Sequence, residues 1–215
     1  MMWMRMPGQT WPGSAASFVL MWTVMMAAMM LPSMAPVLWR YRRSIGSDGN
    51  ALASWRTALV YVAYLSVWTL VGMVIFPAGA ALMTASMQQP ALTRAVPIAV
   101  GAVVLIAGAV QLTSWKARNL ACCRSAFAHA AASSANKGSA WRHGMRLGLH
   151  CCSSCSGLTA ILLAVGVMDI RAMALVTAAV TAERLAPAGV HAAQAIGAVA
   201  MGSGLILIVR AAATL

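Results

Sequence analysis

Long apolar runs, separated by short polar and mostly basic stretches, make up nearly the whole chain. Crossing a hydrocarbon core as helix takes about 20 predominantly apolar residues, and six segments approach that length, at roughly 15–38, 57–82, 95–115, 147–168, 172–187 and 189–210. The fifth is the shortest. The pattern predicts an all-α fold, a polytopic transmembrane helix bundle of about six spans forming a single integral membrane domain over residues 1–215. Between the third and fourth spans, Lys116 to Arg146 is the one loop long enough to hold structure of its own, and its Ala/Ser/Asn/Gly stretch at 130–140 reads as flexible linker. The first loop, Tyr41 to Trp55, carries the turn-forming run Gly46-Ser47-Asp48-Gly49-Asn50. Pro32 and Pro36 fall late in the first span and Pro77 late in the second, where a missing backbone donor favours a kink. Gly197, Gly202 and Gly204 give the last span the small residues on which membrane helices approach closely.

Composition agrees with the pattern. The chain is 61% hydrophobic and 8% charged, with a formal net charge of +12 and a mean hydropathy of +0.80. In a soluble protein that charge would suggest nucleic acid, but in a membrane protein Lys and Arg must first be placed relative to the spans. Arg40, Arg42, Arg43, Arg56, Lys116, Arg118, Arg124, Lys137, Arg142, Arg146 and Arg184 fall on one side, and Arg5, Arg94, Arg171 and Arg210 on the other. The eleven-to-four bias predicts cytoplasmic basic loops and extracytoplasmic termini, and leaves no reason to expect a nucleic-acid partner. The first span reads as retained rather than cleaved: one basic residue precedes it, and Leu31-Pro32-Ser33-Met34 makes a poor cleavage site.

The candidate chemistry lies in sulfur. Three of the five cysteines occupy Cys151-Cys152-Ser153-Ser154-Cys155, at the start of the fourth span, and the other two form a vicinal pair, Cys122-Cys123, in the loop before it. Cys151 and Cys155, four apart, share a helix face and are near enough to hold one ion. Cys152 points about 100° away. Clustered thiolates suit a soft cation such as Cu(I), although a single cysteine is ordinarily a small buried hydrophobe. A reducing cytoplasmic face disfavours disulfides, and adjacent cysteines are poorly disposed to bond each other. The paired C-x2-C spacing of a structural zinc site is missing.

Methionine extends the same theme. Met21, Met25 and Met29 form one stripe of the first span and Met26, Met30 and Met34 another, each at four-residue spacing. Thioethers there are candidate ligands, although composition alone favours methionine as flexible filler between helices. The tail adds Met1, Met2, Met4 and Met6. Among ionisable residues, Glu183 beside Arg184 is placed inside or at the end of the fifth span, with His191 early in the sixth and His150 next to Cys151. Charged groups in spans are costly and point to function, whereas a Glu-Arg pair at a helix end can simply sit at the interface. Gln111, in the third span, is suited to hydrogen-bond across helices.

No Gly-rich phosphate loop, H-E-x-x-H or Ser-His-Asp order is present, so an enzyme is not expected. His150 and His191 lack the motifs that would mark a haem site.

Several stretches together resemble one family of bacterial integral membrane proteins, domain of unknown function 2182, described as predicted metal-binding membrane proteins and sometimes as copper chaperones. They are Met21-Trp22-Thr23-Val24-Met25-Met26-Ala27-Ala28-Met29-Met30-Leu31-Pro32-Ser33, Gly108-Ala109-Val110-Gln111-Leu112-Thr113-Ser114-Trp115-Lys116 and Cys123-Arg124-Ser125. The match continues through Gly148-Leu149-His150-Cys151-Cys152-Ser153-Ser154-Cys155 and Gly166-Val167-Met168-Asp169 to Glu183-Arg184-Leu185. Two departures stand out. The family usually has a further membrane helix before the Met-Trp segment, and its vicinal cysteine pair is replaced here by Ser154-Cys155, with Cys152 additional. The resemblance implies a multi-pass protein of the bacterial inner membrane.

The expectation is a membrane chaperone or permease that binds Cu(I) and hands it to a cytoplasmic or periplasmic carrier. Its candidate ligands are Cys151, Cys155, Cys152, Cys122, Cys123, Met25, Met26, Met29, Met30, Met34, His150, His191 and Glu183. Two other readings stay open at this point: transport of Hg(II) or another thiophilic ion, and a metal-free scaffold within a larger membrane complex.

Overall fold

A computed structural model describes residues 10–44, 50–128 and 137–213. Seven α-helices follow one another: α1 (Trp11–Ser44), α2 (Asn50–Gln88), α3 (Pro90–Gln111), α4 (Ser114–Ala128), α5 (Lys137–Val165), α6 (Ile170–Leu185) and α7 (Gly189–Ala213). Among the described residues there is no strand. The protein is an all-α, polytopic helix bundle, and α1, α2, α3, α5 and α7 are long and apolar enough to cross a membrane. The segment expected at 172–187 forms α6, whose 16 residues rise about 24 Å at 1.5 Å per residue. That falls short of the ~30 Å hydrocarbon core.

Loop expectations changed where polar residues turned out to be helical. Ser114–Ala128 forms α4, and 137–140 belong to α5 rather than to a linker, with 130–136 outside the described residues. In the first loop α1 runs on to Ser44 and α2 starts at Asn50, while the turn-forming residues 46–49 lie outside the described residues.

Close helix approach depends on glycine. α3 packs most extensively on α7, where a side chain at Gly108 would come within 2.7 Å of the Met201 nitrogen and one at Gly204 within 2.6 Å of the Leu105 nitrogen. Gly202 faces open space, so of the last span's three candidate contact glycines only Gly197 and Gly204 serve the interface. α2 and α5 meet in the same manner, Gly144 against the Val60 carbonyl and Gly148 against Val67 and the Tyr64 carbonyl. Here the missing side chains bring Tyr64 and Cys151 into contact. α5 stops at Gly166, whose φ of 134° suits glycine best. Three residues on, the Asp169 carboxylate accepts from the Arg171 and Ala172 amides and caps α6.

The core gathers where α1, α2, α5 and α6 face one another, around Trp22, Met26, Met30, Met34, Tyr64, Trp68, Leu147 and Leu162. The Trp22 indole donates to the Trp68 carbonyl at 3.0 Å, satisfying the polar edge of a buried ring. Leu20, Val74, Leu82, Leu175 and Val199 lie on the outer surface instead, the distribution expected where the solvent is lipid tails.

Candidate metal centre

On α5, one helical turn sets the Cys151 and Cys155 thiols on a common inward face, and both are buried. From α6, Arg184 reaches between them: its Nη2 lies 2.7 Å from Cys151 Sγ and 3.0 Å from Cys155 Sγ. Its Nη1 donates to Ser33 Oγ on α1 at 3.2 Å. The Tyr64 hydroxyl of α2 is 2.8 Å from Cys151 Sγ, and Met30 Sδ of α1 is 4.0 Å from the same sulfur. Two thiols and a thioether thus share one buried cluster with a guanidinium and a phenol, both of which can donate to sulfur.

A second polar cluster adjoins the first. Glu183, buried at 1% exposure, accepts from Lys116 Nζ at 2.7 Å and from Gln111 Nε2 at 2.6 Å. Lys116 Nζ also donates to the carbonyl of Ser154, the residue before Cys155. Gln111 therefore bonds across helices, as its place in a span predicts. The reading of Glu183 and Arg184 as a helix-end pair at the interface is corrected: both are buried, and the two side chains serve different partners. Lys116 and Arg184 are likewise interior residues rather than the loop charges the topology count made of them.

The vicinal cysteines of α4 part company. Cys123 is wholly buried within the same core as Cys151, Cys155 and Met30, whereas Cys122 is exposed. Burial pushes the Cys123 thiol above its ordinary range against the pull of the Arg184 guanidinium, which acts on it from within the centre. Cys152 is half-buried and faces away from the pair, against the rim of the core. Met25, Met26, Met29 and Met34 are all buried along α1. Among the described residues, Met30 is the methionine whose sulfur meets a cysteine.

The remaining candidates lie apart. His150 is half-buried, His191 is exposed on α7, and the carboxylate of Glu183 is taken by Lys116 and Gln111. Among the described residues no three His, Cys, Asp or Glu side chains form a metal-binding group. The soft donors that do converge are Cys151, Cys155 and Met30. Tyr64, Ser33 and the roles of Arg184 and Lys116 escaped the sequence reading. Their one available signal was that an ionisable side chain within or beside an apolar segment needs a partner there.

Helix bundle, sulfur-lined interior and buried cation define a membrane-embedded protein with a soft-metal type of donor set. The chain belongs to the PpoB2 family, described as copper chaperone, whose model matches residues 19–207. That span takes in every residue of the centre, and the family description gives the protein a copper-related role. No curated protein and no solved structure matches the chain.

Proposed function

We propose that this protein takes up a single Cu(I) at Cys151 and Cys155, with Met30 as a third donor, and passes it to or from a carrier protein at the membrane surface. The observation that carries the reading is the convergence of these three sulfurs on one buried site. Cu(I) favours thiolate and thioether donors and tolerates two or three of them, so the small donor set suits it better than it suits the closed tetrahedron of structural zinc. The buried methionines of α1 supply further soft donors along the approach to Met30. Cys123, inside, and Cys122, outside, supply thiols on either side of the protein surface, and neighbouring thiols can relay a soft metal by stepwise ligand replacement. The chain acts as a carrier and not as a catalyst.

The test is the metal content and Cu(I) affinity of protein purified without oxygen. One Cu(I) per chain is expected in the wild type, lost in Cys151→Ser/Cys155→Ser and weakened in Met30→Leu. Stoichiometric binding that survives the double cysteine variant would overturn the assignment.

A further inference from the structure

We propose that Arg184 is the specificity-determining residue of the Cys151–Cys155 pair, a fixed positive charge that selects monovalent over divalent thiophilic ions. The inference rests on the reading above and adds to it the residue that would set Cu(I) apart from divalent soft ions.

Three observations lead there. Guanidinium stays protonated in proteins, and Arg184 keeps that charge inside the bundle at 6% exposure. Its Nη2 contacts both sulfurs at nearly equal distances, 2.7 and 3.0 Å, while Ser33 holds Nη1. The neighbouring carboxylate, Glu183, is bound by Lys116 and Gln111, so a lysine charge offsets it within that cluster.

The consequence follows from charge. A metal ligand must be a thiolate, so binding leaves both cysteines deprotonated. Two thiolates around a monovalent ion carry a net charge of −1; around a divalent ion they carry none. The fixed cation attracts the first complex and gains nothing from the second. At these separations and in a medium of low dielectric the difference amounts to about tenfold or more in relative affinity. A guanidinium is well suited to this because its planar fork can donate to two sulfurs at once while a third group holds it in place.

The experiment compares Cu(I) and Hg(II) on the full chain in detergent, without oxygen, by competition with dithiothreitol, a dithiol that shares the two thiols but has neither the Met30 thioether nor a fixed cation. The wild type should outcompete dithiothreitol for Cu(I) more effectively than for Hg(II), by about tenfold or more. Arg184→Gln should lose that preference while still binding Hg(II), which also reports that the pair remains intact, and Arg184→Lys should keep most of it. A wild-type preference equal to that of dithiothreitol overturns the inference, and does so even where Arg184→Gln fails to fold. Equal losses of both ions in Arg184→Gln overturn it as well. Cu(I) binding with an unaltered preference counts against Arg184 alone, whereas a wild type that binds no Cu(I) removes the underlying reading and the inference with it.

Discussion

Lys116 Nζ lies 2.7 Å from Glu183 Oε2, and each side chain is only 2% exposed. The pair joins the start of α4 to the end of α6, and through the Ser154 carbonyl it also holds α5 one residue from Cys155. Removing one partner leaves a buried charge with its counter-ion gone, which costs about 3–5 kcal/mol. Glu183→Gln and Lys116→Met are therefore each expected to destabilise strongly, and the double variant by less than the sum of the two. Unfolding in detergent followed by tryptophan fluorescence measures all three, and strictly additive losses would show that the pair is not coupled.

Thiol reactivity should separate the cysteines by burial. Cys122 is exposed, while Cys123, Cys151 and Cys155 are buried, so a maleimide should modify Cys122 first, with the site of each adduct read by mass spectrometry. The attacking species is the thiolate. Because burial holds the Cys123 thiol above its ordinary range, its modification should begin at higher pH than that of a free cysteine. The same shift fixes a sign for stability. A folded-state pKa above the unfolded one contributes stability that is present below the ordinary thiol range and is lost as pH rises through the folded value. Early labelling of Cys123 at neutral pH would contradict the packing of α4.

Tyr64→Phe removes the hydroxyl 2.8 Å from Cys151 Sγ and leaves the buried ring. Cys151 keeps Arg184 as a donor, so the fold should hold. One hydrogen bond of about 1 kcal/mol corresponds to roughly a fivefold loss of Cu(I) affinity. Chelator competition on wild type and variant gives the value, and an unchanged affinity would mean that the phenol does not support the bound state.

On α7, two glycines two residues apart should behave oppositely. A side chain at Gly204 would run into the Leu105 nitrogen and the Gly101 carbonyl, whereas one at Gly202 meets open space. Gly204→Val should cost about 1–3 kcal/mol through overpacking against backbone that cannot yield. Gly202→Val should be near neutral. Thermal unfolding of both variants makes the comparison, and equal effects would argue against the described α3–α7 interface.

Much of the bundle was legible in the chain because span prediction depends on local composition. α1, α2, α3, α5 and α7 correspond to apolar runs visible at sight. α4 was not, since its alternation of basic, apolar and cysteine residues resembles a loop until something covers Cys123 and Leu120. For the centre, four-residue spacing was enough to pair Cys151 with Cys155 and to turn Cys152 away. Spacing could not choose Met30 from its ladder, because every rung repeats at the same interval and only the neighbouring helix distinguishes them.

By itself, then, the sequence determined a sulfur-rich membrane bundle with one cysteine pair on one helix face. Those properties depend on hydropathy and on the 3.6-residue turn, which act over a few residues. Tertiary structure decided which charges entered that bundle. Arg184 meets Cys151 across 33 positions and Lys116 meets Glu183 across 67, and such partners find each other only because buried charge must be matched wherever the packing of the helices allows.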